Sequence, residues 1–197
     1  MRVLTVSLVT CLVAAAACSE SGSRSSSSSL PTSPSTVAAP PAGAAAAPGR
    51  QDVRVNMLDA CDPTTFDAAI GAGTCVRNGG VTFDQFIAML TRLGFAGAWH
   101  FSPPQSHVVV GQSFEALNKG GEVHTFTEVA EFGGGIVPVL NQLAHVPQVA
   151  PECTALEPED FVAPGATYHE SVDHAGALKF QCCIHPWMRL EATAASR

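Results

Sequence analysis

Cys182, His185 and Met188 stand three residues apart in the run Cys182-Cys183-Ile184-His185-Pro186-Trp187-Met188. They offer a thiolate, an imidazole and a thioether. With one more imidazole they complete the donor set of a type 1 copper site, which takes two His and one Cys near a trigonal plane and a weak axial Met. Zinc accepts the first two donor types, but a thioether argues for copper. A site filled in this way has no open coordination position. It moves one electron and takes no small-molecule substrate. Multicopper enzymes need His-x-His and His-Cys-His clusters, and neither occurs in the sequence. Adjacent Cys182 and Cys183 do not have the spacing that a dinuclear copper centre wants.

The fourth donor must come from elsewhere, and His124 is the best placed. It ends the run Asn118-Lys119-Gly120-Gly121-Glu122-Val123-His124, where a strand leaves a Gly-rich turn. His100, His107, His145, His169 and His174 read as surface histidines. Cys182 is preferred to Cys183 because it gives the spacing Cys-x-x-His-x-x-Met. Strand neighbours also face opposite ways, so only one of the two cysteines can point into the site. The chain has seven cysteines. Cys11 and Cys18 fall in an N-terminal leader, leaving Cys61, Cys75, Cys153, Cys182 and Cys183. An odd number in an exported domain asks for one special thiol. Cys61 with Cys75 can close a small loop, and Cys153 with Cys183 would leave Cys182 for the metal; the sequence does not fix this connectivity.

Around these residues the chain divides into parts. Residues 1–18 read as a signal peptide: Arg2, an apolar run too short to span a bilayer, then small residues up to Cys18. The pattern fits a lipoprotein signal with Cys18 as the lipidated residue, and ordinary cleavage after Ala-x-Ala competes with it. Residues 19–50 are rich in Ser, Ala and Pro and carry no apolar period, which predicts a disordered tether. The remaining chain, about 145 residues, suits one domain. A net charge of −7 without a basic cluster excludes nucleic acid as a natural partner.

Within 51–95 a helical segment is expected. Asp62-Pro63 starts one helix running to Ile70, and Thr82 with Gln85 forms a capping box for another that ends at Gly94. Val53–Met57 alternates weakly and is a candidate first strand. From 96 to 197 the texture is one of short strands: Ala98–Phe101, His107–Val110, Ser113–Asn118, Glu122–Thr127, Thr167–Val172 and Ala177–Cys182, with a short helix over Val137–Leu143 in a less regular stretch. Many short strands with Gly and Pro turns predict an all-β sandwich or barrel.

These segments resemble the cupredoxins, the plastocyanin and amicyanin type in particular. Phe180-Gln181-Cys182 followed by the Cys-x-x-His-x-x-Met spacing is similar to the amicyanin loop. Ala163-Pro164-Gly165-Ala166-Thr167-Tyr168 and Gly176-Ala177-Leu178-Lys179-Phe180 resemble the plastocyanin strands before its Cys. Trp99-His100-Phe101-Ser102-Pro103 with Val108-Val109-Val110-Gly111 and Asn118 resembles the plastocyanin segment leading to the first His ligand. The resemblance covers roughly residues 96–192. It implies an all-β, cupredoxin-like Greek-key sandwich with a small helical insertion or N-terminal extension, and a copper ion held by His124, Cys182, His185 and Met188. It also implies a one-electron carrier rather than an enzyme, with copper storage, delivery or sensing as the alternative. Two departures stand out. Thr125 replaces the family's Asn after the first His, where a hydroxyl can partly take over the bond between ligand loops. Cys183 is an extra cysteine beside the ligand. The expected partners are a redox protein at an exposed His185/Trp187 end and a membrane reached through the lipid anchor, which places the protein in the cell envelope.

Overall fold

A computed structural model describes residues 51–197; the leader over 1–18, Cys18 and the tether over 19–50 lie outside the described residues. Two four-stranded sheets form a β-sandwich. The first has the order β2-β1-β4-β6, with β1 Val53–Leu58, β2 His100–Ser102, β4 Ser113–Asn118 and β6 Thr167–Ser171. The second has the order β3-β8-β7-β5, with β3 Gln105–Val109, β5 Thr127–Glu128, β7 Gly176–Gln181 and β8 Arg189–Ala195. The β1–β4 and β3–β8 pairs are parallel and the others antiparallel.

Alternation along the strands supplies the core. Phe114, Ala116 and Asn118 of β4 point inward, as do Leu190, Ala192 and Ala194 of β8. Phe126 and Phe180 stack at 4.5 Å between ring centroids, and Phe114 meets Phe180 edge-on at 5.0 Å. Such aromatic pairs add about 0.5–1.5 kcal/mol beyond the area they bury. They make a stiff floor directly below the end of β7, from which Cys182 emerges.

The segment between β1 and β2 is helical. Helix α1 (Pro63–Ile70) begins at Asp62, whose carboxylate accepts from the Thr65 N–H at 2.9 Å. Helix α2 (Phe83–Leu93) begins in the Thr82/Gln85 capping box and stops at Gly94, in the left-handed region at φ 77°. Phe66 of α1 and Phe86 of α2 pack on Trp99, with centroids 5.9 and 4.6 Å away. The Cys61–Cys75 disulfide ties the two ends of α1 together. Because β1 is hydrogen-bonded on both sides, to β2 and β4, the helices are an insertion in the first connection, and the sandwich begins at Val53 rather than at residue 96. No helix among the described residues is long and apolar enough to cross a membrane.

Three strands differ from the sequence reading. The one expected over Ala98–Phe101 shifts to His100–Ser102, because the Trp99 N–H closes a turn on Ala96, and the one expected over His107–Val110 runs from Gln105 to Val109. The strand expected over Glu122–Thr127 shrinks to a single bridge between His124 and Val162 and the two residues of β5. Its backbone groups are taken by side chains instead. Asp59 captures the N–H groups of Gly121 and Glu122, and Asn118 Nδ2 donates to the Glu122 and Val162 carbonyls. Side chains that bond backbone in this way compete with ladder formation. Helix α3 (Pro138–Leu143) follows in the long connection to β6.

The Thr82→Ala variant loses the half of the α2 capping box in which Thr82 Oγ1 accepts the Gln85 N–H, and keeps the bond from its own N–H to Gln85 Oε1. We expect it to cost about 1 kcal/mol in urea unfolding, and a cost near zero would mean that the insertion is held by its aromatic contacts alone.

Candidate metal centre

Cys182 is the first residue past β7. Its N–H donates to the Met188 carbonyl at 3.0 Å, and the Met188 N–H donates to the His185 carbonyl at 2.9 Å. These two bonds close the loop on itself and bring the Cys182 sulfur and the His185 ring together. His124 arrives from the connection between β4 and β5, clamped by reciprocal bonds with Val162 of 3.2 and 2.8 Å. The structure brings His124, Cys182 and His185 together, with one ligating atom of each lying within 4.8 Å of the others. Cys182 Sγ is 3.9 Å from Nδ1 of His124 and 3.9 Å from Nδ1 of His185. Three donors in a plane around an ion, at ordinary nitrogen and thiolate bond lengths, stand about 3.8 Å apart. The residues therefore fit a trigonal metal ion. Met188 is fully buried on the same loop. His100, His107, His145, His169 and His174 are all exposed and outside the cluster.

The sulfur is prepared for charge. It accepts the N–H groups of Thr125 and His185, both at 3.4 Å. Burial pushes the Cys182 thiol up, but hydrogen bonds with His124 and His185, together with their charge, outweigh it and hold the thiol well below its ordinary range. For His124, burial acts to lower the pKa; the bond to Asp59, then that to Cys182, reverses this and raises it to about 9.

Thr125 Oγ1 accepts the Cys183 N–H at 2.8 Å, so a hydroxyl links the His124 segment to the Cys182 loop. Cys183 faces away from Cys182 into a bridge with Cys153, Cys61 bridges Cys75, and Cys182 remains a free thiol.

One expectation is corrected. His185 is not at an exposed end: it is only 3% accessible. The helical insertion covers it. Phe86 stands edge-on to its ring at 6.4 Å, Trp187 flanks it at 5.5 Å, and Trp187 is itself half-buried. An open apolar cleft of about 410 Å³ remains between the insertion and α3, lined by Phe66, Phe83, Val139 and Ile184, and His185 reaches its wall.

The sequence reading missed the acidic residues of the site. Asp59 Oδ2 lies 2.9 Å from His124 Nε2. Glu122 Oε2 accepts the Trp99 Nε1–H at 2.6 Å and lies 3.7 Å from His185 Nε2. Burial raises the Glu122 pKa, an effect that the His185 charge and the Trp99 bond partly offset. The only sequence signals were an acid at the end of an apolar strand and an acid two residues before His124, and neither is distinctive.

No family model matches the chain, and no curated protein matches it. Among solved structures it is similar to a purple cupredoxin from Nitrosopumilus maritimus, at 13% identity, covering 73% of this chain and 100% of that one, with a TM-score of 0.41. It is also similar to an amicyanin variant in its Cu(I) form, at 18% identity over 49% of this chain and 73% of that one, TM-score 0.34. A second amicyanin variant, in its reduced state, gives 21% identity over 47% and 70%, TM-score 0.32.

Cys182→Ser should abolish the intense blue thiolate-to-copper absorption of the oxidised, copper-loaded protein, while Cys183→Ser retains it; the reverse result reassigns the ligand. His124→Ala and His185→Ala should both disrupt the site, and His145→Ala should not. Proton release gives a second check. A metal ligand must be deprotonated: an imidazole neutral, a cysteine as its thiolate. His124, at about 9, carries its proton at pH 8, whereas the lowered Cys182 does not need to lose one. Copper(II) uptake at pH 8 should therefore release about one proton, falling toward zero above pH 9. Calorimetry in buffers of different ionisation enthalpy measures it, and a constant release across this range contradicts the assignment.

Proposed function

We propose that this protein holds one copper ion through His124, Cys182 and His185, with Met188 as a weak axial ligand, and serves as a one-electron carrier rather than an enzyme. Copper bound there supplies a one-electron couple. The observation that carries the reading is the buried triangle of one thiol and two imidazoles, held by two separate segments and almost wholly shielded from water. Bonds to Thr125, Asp59 and the Met188 backbone hold these side chains from behind. A ligand set fixed in this way changes little when the ion's charge changes, which favours fast electron exchange over substrate binding.

The same enclosure argues against copper handover. Delivery requires a receiving protein to reach the ligands, and here Phe86, Trp187 and Glu122 stand over His185. The redox partner is proposed to approach at the apolar cleft beside His185, through Trp187 and the rim of the helical insertion. Export, with Cys18 lipidated and residues 19–50 as a tether, places the domain at the outer face of a membrane.

Voltammetry and stopped-flow mixing with a small one-electron reductant test the role. Rapid, reversible cycling with copper retained is the expected result; loss of copper on each reduction, or its transfer to a chelating acceptor, points to storage or delivery. In the native host, Cys18→Ser should move the protein from the membrane to the soluble fraction, and a soluble wild type removes the anchor.

A further inference from the structure

Asp59 is buried at the point where the helical insertion meets the metal centre. It is the first residue after β1, and its side chain is only 1% exposed. Its carboxylate accepts the N–H of Gly121 at 2.8 and 2.9 Å, of Glu122 at 3.0 Å and of Cys61 at 3.2 Å. His124 Nε2 completes the set at 2.9 Å. The surroundings are built to admit it: a Cβ at Gly120 would overlap the carboxylate, and one at Gly121 would overlap the Cys61 sulfur. Asp59 is followed, two residues on, by Cys61, which the disulfide to Cys75 fixes in place. No other carboxylate among the described residues makes a hydrogen bond to a candidate ligand; Glu122 stands at 3.7 Å from His185 and is spent on Trp99.

Such a contact decides which nitrogen of an imidazole carries the proton. In the neutral ring, with Nε2–H donating to Asp59, Nδ1 presents its lone pair to the space shared with Cys182 and His185. A carboxylate behind an imidazole also makes it a stronger donor. A buried anion one ring away from an ion stabilises the higher charge more than the lower one.

We propose that Asp59 is the positioning residue of this centre, fixing the His124 tautomer and biasing the bound copper toward copper(II). The insertion between β1 and β2 is then the device that brings an anion to the metal. This inference rests on the copper reading above.

Asp59→Asn keeps the shape and removes the charge. It should lower copper(II) affinity about 10–100-fold. The ratio of copper(II) to copper(I) affinity should fall about tenfold, which raises the reduction potential by about 59 mV. An unchanged or lowered potential, with the blue absorption intact, overturns the proposal. A wild type that gives no blue absorption on copper titration defeats the copper reading instead. In that case, or if Asp59→Asn does not fold, nitrogen-15 NMR of the zinc-loaded wild type decides. A slowly exchanging His124 Nε2–H supports Asp59 as the positioning group, and a rapidly exchanging one overturns it.

Discussion

A cysteine sulfur sealed from water is the constraint on which the rest of this molecule depends. Cys182 has no solvent to stabilise a charge on its sulfur. An uncompensated buried ion is expensive, so the protein must surround the sulfur with donors and positive charge. Two backbone N–H groups and two imidazoles do so. Each donor belongs to a segment that is fixed by something else. Thr125 is held by its bonds to Cys183 and Thr127, His124 by Val162 and Asp59, and His185 by the turn back to Met188. The sandwich brings these segments within reach, and the loops finish the geometry.

The charges on and around the site form a chain. Asp59 raises the proton affinity of His124, and His124 in turn lowers that of Cys182. On the other side, Trp99 holds Glu122 near His185. The arrangement alternates acid, imidazole, thiol, imidazole, acid, and its two outer members sit where the helical insertion and the Gly-rich turn meet the sandwich. The insertion therefore does two things at once. It supplies Asp59 at its start, and it lays Phe66 and Phe86 over Trp99 and toward His185.

Much of this was legible in the sequence because the relevant signals are local. Thr82 with Gln85 announced α2, Asp62-Pro63 announced α1, and the alternation of Ser113–Asn118 announced β4 within the observed bounds. The candidate ligands were legible because Cys, His and Met at a three-residue spacing are rare and chemically specific. The segment from Glu122 to Thr127 was misread as a strand because its backbone is held by Asp59, Asn118 and Cys182, all distant in sequence. The cover over His185 was also invisible. Nothing in the Phe86 pattern distinguishes a residue that packs on a core from one that also shields a ligand, since that depends on how a helix docks across a sheet.

The placing of Cys182 next to Cys183 has a consequence for how the protein is made. Cys153 must choose between two adjacent thiols while the chain is still incomplete. Joined to Cys183, it leaves the ligand free; joined to Cys182, it would destroy the site in a chain that is otherwise whole. The choice is set where the chain leaves β7: there the Cys182 sulfur turns toward His124 and His185, and Cys183 lies against Cys153. A bridge formed before that exit is in place has two thiols to choose from, and a wrong choice must be undone by disulfide exchange before the site can form.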